Sequence, residues 1–130
     1  MILLDTNVII DMLNNEDDSR WNFLLQEECV ICGVVISELY SGIRSKKEEK
    51  AIEVFVNSID SLLIEQNDWL QIGNFICNLR KNGLSVPFQD AVIAYLSVKN
   101  NCRCGIPHRQ FSFIWQLAQN LPRHACTAGK

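Results

Sequence analysis

Residues 1–10 read MILLDTNVII. Four apolar residues run straight into Asp5, Thr6 and Asn7, and apolar character then resumes. A short apolar run bounded by polar groups reads as a buried strand at about 1–4, and NVIIDMLN behind it reads as a helix. Strand followed by helix is the pattern that the rest of the chain repeats.

Further strands are expected at about 29–35, 60–64 and 101–106. Between them, SRWNFLLQEE completes a helical hairpin with NVIIDMLN, and Ser37 to about Arg44 forms a short helix. Lys46 to Ser58 is amphipathic, with Ile52, Phe55 and Val56 opposite the charged KKEEK face. Trp69, Ile72, Phe75, Ile76 and Leu79 recur at helical spacing before Gly83 stops the helix. Pro87, tolerated in a first turn, introduces FQDAVIAYLSVKN, so apolar throughout that the helix is expected to lie buried against the sheet. Strands alternating with helices define an α/β fold with a mainly parallel central sheet.

A chain of 130 residues is one ordinary domain, and no linker, repeat or low-complexity segment divides residues 1–130. Its 48% hydrophobic and 21% charged content is that of a globular protein, and no apolar run approaches the ~20 residues of a membrane helix. No basic n-region with an apolar core and cleavage site opens the chain, so no membrane association and a cytoplasmic location are expected. The net charge of -3 does not exclude a nucleic-acid partner. Carboxylates gathered round a metal lower the total without making the surrounding surface acidic, and Arg44, Lys46, Lys47, Arg80, Lys81, Lys99, Arg103 and Arg109 can form a basic rim.

Six cysteines stand at positions 29, 32, 77, 102, 104 and 126. In a reducing compartment they read as free thiols. CVIC and CRC, with His108, His124 and Cys126, offer zinc-type ligands, but Cys29 and Cys32 three apart in a strand point to opposite faces, which favours small core or edge residues.

Asp5 follows the first strand, Glu38 follows the CGVVI stretch, and Asp90 falls in the first turn of the buried helix. Each acid has two readings. Asp5 can cap a helix, and Glu38, one position after an N-cap Ser37, and Asp90 can complement helix dipoles. Alternatively the three converge outside the carboxyl ends of parallel strands, where ligands of open α/β sheets gather. Converging carboxylates repel unless a cation neutralises them, and Mg2+ or Mn2+ takes such oxygen ligands. Thr6, Asn7 and Ser37 are turn or capping residues on the first reading and supporting hydrogen-bond donors on the second.

MILLDTNVIIDML (1–13), VVISELYSGI (34–43) and VPFQDAVIAYLSVKN (86–100) resemble the three acidic motifs of the PIN-domain family, in the family's order and at about its separations. The similarity spans nearly the whole chain, and the length is similar to that of a VapC-type toxin. The resemblance implies a PIN-like three-layer α/β/α fold and a metal-dependent ribonuclease, the toxin of a toxin-antitoxin pair. It makes Asp5, Glu38 and Asp90 the catalytic, metal-binding acids, with Thr6 in support; Ser37, from the reading of the residues above, and His108 are further candidates for a supporting role. Mg2+ or Mn2+ is the implied cofactor, RNA the substrate, an antitoxin the protein partner, and a homodimer is allowed. The family's fourth acidic position, a few residues ahead of a Phe, matches CGIPHRQFSFI; Phe111 is present there but no carboxylate, and His108 is the nearby group able to ligate or donate.

Two other classes bear comparison. A catalytically weak or inactive RNA- or protein-binding module on the same fold follows from the missing fourth acid. A receiver-like phosphotransfer domain wants paired acids at the first strand end and a lysine at a late one, and neither occurs. Trp21, Phe23, Leu24 and Leu25, with Leu39, Tyr40 and Ile43, exceed what one small core needs, and some of them are expected to line a groove; the resemblance to toxin-antitoxin pairs implies that a partner lays an apolar helix into it and presents a basic side chain to the acids.

Overall fold

A computed structural model describes residues 1–15 and 18–104, leaving out the side chains of residues 23–25 and 104. The elements are β1 (Ile2–Leu3), α1 (Thr6–Leu13), α2 (Arg20–Gln26), β2 (Cys29–Cys32), α3 (Gly33–Ser41), α4 (Lys46–Ser58), β3 (Asp60–Leu62), α5 (Gln66–Lys81), α6 (Phe88–Lys99) and β4 (Arg103–Cys104). The strands form one sheet in the order β3-β2-β1-β4, and every neighbouring pair is parallel. The α/β class expected from the alternating pattern is the class observed.

Ile2 pairs with Cys29 on one side and Arg103 on the other, so β1 is a central strand. The chain leaves β1 toward β2 and β3, then crosses back to pair β4 with the opposite edge of β1. Right-handed crossovers in both directions put α1–α4 on one face and α5 and α6 on the other, which gives three layers. The reversal beside β1 is a topological switch point, and the crevice of such a sheet opens there at the strands' carboxyl ends.

Leu3, Leu4, Ile9 and Ile31 are buried in one cluster with Val35, Leu39, Ile72, Val92, Ile93 and Leu96. Strands covered on both faces read as unbroken apolar runs, which is why MILL carries no alternation. In α6, residues 91–94, Leu96 and Ser97 are all buried. Ser97 lies there without a cost in lost bonding, because its hydroxyl donates to the Ile93 carbonyl at 2.8 Å. Among the described residues, no helix is long and apolar enough to cross a membrane.

Several boundaries differ from the sequence reading. The strand expected over 29–35 stops at Cys32, and α3 begins at Gly33 rather than Ser37 and ends at Ser41 rather than Arg44. The β-branched run GVVIS hides a helical period: Val35 and Leu39, one turn apart, are both buried. Ser37 is therefore an exposed residue within α3 and not its N-cap. The strand expected at 60–64 is Asp60–Leu62, and that expected at 101–106 is Arg103–Cys104, with residues from 105 outside the described part. Asn101 takes φ 54°, the left-handed turn that brings α6 into β4. Pro87 is the N-cap of α6 and not part of its first turn.

On α5 the buried face is Asp68, Ile72, Phe75 and Leu79, and Trp69 is exposed. Asp68 lies inside because four donor contacts satisfy it. The Glu65 amide reaches it at 2.8 Å, the Tyr95 hydroxyl at 3.0 Å, and Lys99 Nζ at 2.8 and 2.9 Å on its two oxygens. Burial alone would push this carboxyl up, but the Lys99 ammonium, the Glu65 amide and the Tyr95 hydroxyl outweigh it and hold it below its ordinary value. Lys99 is thus committed to α5 and leaves the expected basic rim.

Candidate active site

The Leu4 amide still donates to the Val30 carbonyl at 2.9 Å, so extended backbone carries the chain from β1 directly to Asp5. Asp5 then caps α1: its Oδ1 accepts from the Thr6 amide at 2.7 Å. Capping and a site role are compatible, because a carboxylate offers about four acceptor positions on its two oxygens and the cap uses one on Oδ1.

Thr6 is buried and turns its hydroxyl the other way, donating to Oε2 of Glu38. A single residue therefore binds both acids, Asp5 through its amide and Glu38 through its side chain. This contact joins α1 to α3, two helices that pack against each other. Glu38 reaches the site because α3 starts directly at the end of β2. Its position is in the second turn of that helix, further along than a reading of 29–35 as strand would put it.

Cys32 ends β2, directly ahead of the helix that carries Glu38. Fully buried, it is the N-cap of α3 without a side-chain cap bond. Its thiol is pushed up by burial first; the amides of Val35 and Val34 oppose this, while the charges of Glu38 and Asp5 add to it. Burial is the main cause, so Cys32 is a neutral core thiol at the end of β2. Cys29 is half-buried at the start of β2.

Asp90 is half-buried in the first turn of α6. Only residues 100–102 separate α6 from β4, so the carboxyl end of this 12-residue helix is fixed near the start of that strand. Its amino end, about 18 Å away, points back toward the carboxyl side of the sheet. α6 also packs on α3, the helix that carries Glu38.

The arrangement is a pair of acids at Thr6 with the third acid at the head of a neighbouring helix. Among the described residues, no group of three or more His, Cys, Asp or Glu side chains is close enough to hold a metal ion. The donors are oxygens throughout, a set that suits a hard cation which keeps most of its water and takes one or two direct carboxylates. It does not suit zinc, which prefers a closed tetrahedral shell of sulfur and nitrogen. His108, Phe111, Arg109, His124 and Cys126 lie outside the described residues.

Sequence reasoning overlooked Phe88, which opens α6 two positions ahead of Asp90 and is exposed. Its signal was a large apolar residue directly after the helix-starting Pro87, where no core face requires one. The groove expected from apolar surplus is also differently built. Leu39 is in the core and Ile43 packs against it, so neither lines an open surface. A groove of about 690 Å³ instead runs between Met12, Leu13 and Trp21 on one side and Lys47, Lys50, Ala51 and Val54 of α4 on the other. Trp21 is fixed in its wall, with the indole N–H directed at the carbonyls of Met12 (3.0 Å) and Asn15 (3.2 Å) and the ring edge on Phe55. The side chains of Phe23, Leu24 and Leu25 are outside the described part.

Solved structures share this fold. The chain is similar to one in the crystal structure of VapBC2 from Rickettsia felis bound to a DNA fragment from their promoter, with 20% identity and a TM-score of 0.76. That match covers 88% of this chain and 93% of the other. A chain of VapBC-1 from nontypeable Haemophilus influenzae matches with 21% identity and a TM-score of 0.72, over 89% and 93% of the respective chains. No curated protein matches in sequence. The PIN domain family matches over residues 2–104, from the start of β1 to the end of β4, and takes in all three acidic motifs. The chain belongs to the PIN domain family.

Proposed function

We propose that this protein is a metal-dependent endoribonuclease that hydrolyses RNA phosphodiester bonds, with Asp5, Glu38 and Asp90 as its catalytic acids and Mg2+ or Mn2+ as its cofactor. PIN domains are in general nucleases. The observation that carries the reading is the double use of Thr6, which holds Asp5 and Glu38 together at the switch point of the sheet.

Asp5 and Asp90 are the residues that would hold the ion, directly or through water. When bound, the ion supplies a lowered pKa for an attacking water and neutralises charge on the phosphate. Glu38 is the base or water-holder: the Thr6 hydroxyl occupies one oxygen and fixes its direction, and the other is left to orient a water. The half-buried setting of all three acids keeps their charges only partly screened by solvent, which strengthens their hold on a cation. Unpaired RNA is the substrate, since its backbone can be splayed into a narrow crevice more easily than a duplex.

Purified protein should cleave single-stranded RNA with magnesium or manganese, and a chelator should stop it. A second reading, a weakly active or inactive binding module, is favoured by the absence of a three-group metal cage among the described residues. Cleavage that metal restores after chelation excludes that reading; binding without cleavage at any metal concentration supports it.

The protein is further proposed to be the toxin of a toxin-antitoxin pair, supported by its likeness in fold to chains of two VapBC assemblies. Its antitoxin would lay an apolar helix into the groove between Trp21 and α4 and present a basic side chain to the acids. Co-purification from the native host at native expression should return a small partner protein, and recovery of the chain alone would count against the pairing.

A further inference from the structure

Trp69 and Phe88 are 42% and 52% exposed, yet their rings are parallel, with planes 5° apart and centroids 6.4 Å apart. The core has no need of them, because α5 buries Asp68, Ile72, Phe75 and Leu79, and α6 buries Ala91, Val92, Ile93, Ala94, Leu96 and Ser97. Mutual stacking withdraws only part of each ring from water. Two parallel rings share one face orientation, so a flat π-system can lie on an outer face and continue the stack.

Two features of the surroundings point to a nucleobase. Phe88 stands two positions ahead of Asp90 in the first turn of α6, so the rings lie at the same end of that helix as the third acid. Exposed amides flank both rings, Gln66 in the turn before Trp69 and Gln89 beside Phe88, and such groups pair with the edges of bases.

We infer that Trp69 and Phe88 form a stacking platform for an unpaired base of the RNA, at the same end of α6 as the candidate acid Asp90. This inference rests on the ribonuclease reading and names the substrate contact that selects single strands. The platform residues position substrate and take no part in bond breaking.

The test is the affinity of a short labelled single-stranded RNA by fluorescence anisotropy, measured without divalent metal and again with magnesium on an Asp5→Asn background. Trp69→Ala and Phe88→Ala should each weaken binding roughly 5- to 100-fold, the range of one lost stacking contact. Phe88→Tyr and Trp69→Phe should retain most of the affinity, and binding to duplex RNA should be indifferent to all four changes. Replacing single bases by abasic positions should reproduce the loss at one position and make the alanine variants equal to wild type there.

Equal affinity of the alanine variants and wild type overturns the platform while leaving the nuclease reading intact. Loss of binding in the variants of a protein that never cleaves supports the platform and overturns the nuclease reading. Absence of RNA binding by the wild type overturns both. Reduced self-association of the variants in sedimentation, with RNA affinity unchanged, overturns the platform in favour of a protein contact to which exposed Leu70 would contribute.

Discussion

The Thr6 hydroxyl donates to the Glu38 carboxylate, tying the first turn of α1 to the second turn of α3 across 32 positions of sequence. Hydrogen bonds to an ionised carboxylate are among the stronger ones, at about 1.5–3 kcal/mol. Thr6→Val keeps the shape and removes the donor. It should lower stability by about 1–2 kcal/mol and reduce kcat for RNA more than it raises KM, because Glu38 is released to turn. Thr6→Ser should restore both. Denaturant titration together with steady-state cleavage would check this, and a Val variant with unchanged kcat would remove Thr6 from any positioning role.

The Asp68 and Lys99 pair concerns stability alone. Asp68 is held below its ordinary value in the folded protein, so it contributes stability that is complete above the unfolded carboxylate pKa of about 3.9 and is lost as pH falls through that value toward the folded one. Asp68→Asn should cost about 2–4 kcal/mol at neutral pH, since it leaves the Lys99 ammonium without its partner beneath α5. It should also flatten the acid limb of Tm against pH. Parallel acid limbs for wild type and variant would contradict this assignment.

Thiol reactivity offers a check on burial at the end of β2. Cys77 is exposed, Cys32 and Cys102 are buried, and burial pushes the thiols of both Cys32 and Cys102 up. In the native protein a thiol reagent should label Cys77 promptly and reach Cys32 only on unfolding, with the modified peptides identified by mass spectrometry. Prompt labelling of Cys32 would mean that the end of β2 is open to solvent and would contradict its burial.

Much of this was legible in the residues. MILLDTN could be read as strand and cap because a buried strand and a helix N-terminus use different residue types, and both appear in order. FQDAVIAYLSVKN could be read as a buried helix because it is apolar on every face. The GVVIS run was misread, since β-branched residues suit a strand and a buried helix alike, and only Val35 and Leu39 at one-turn spacing reveal the helix once its partners are present. That misreading displaced Ser37 and Glu38 by nearly a turn. Trp69 kept helical spacing with Ile72 and yet faces solvent, because a periodic pattern does not show how wide the buried stripe is. The pair at Thr6 was foreshadowed only by position; no spacing rule joins residues 6 and 38.

The central claim is that Asp5, Glu38 and Asp90 act together on a metal-assisted phosphodiester cleavage. It is tested most directly by the rate of RNA cleavage as magnesium is titrated into wild type, Asp5→Asn, Glu38→Gln and Asp90→Asn, with circular dichroism confirming that each variant is folded. The account predicts metal-dependent cleavage by wild type and losses of roughly 100-fold or more in each variant, in line with the rate carried by a single catalytic group. Undiminished cleavage by any one variant, or cleavage by wild type that persists in chelator, would contradict it.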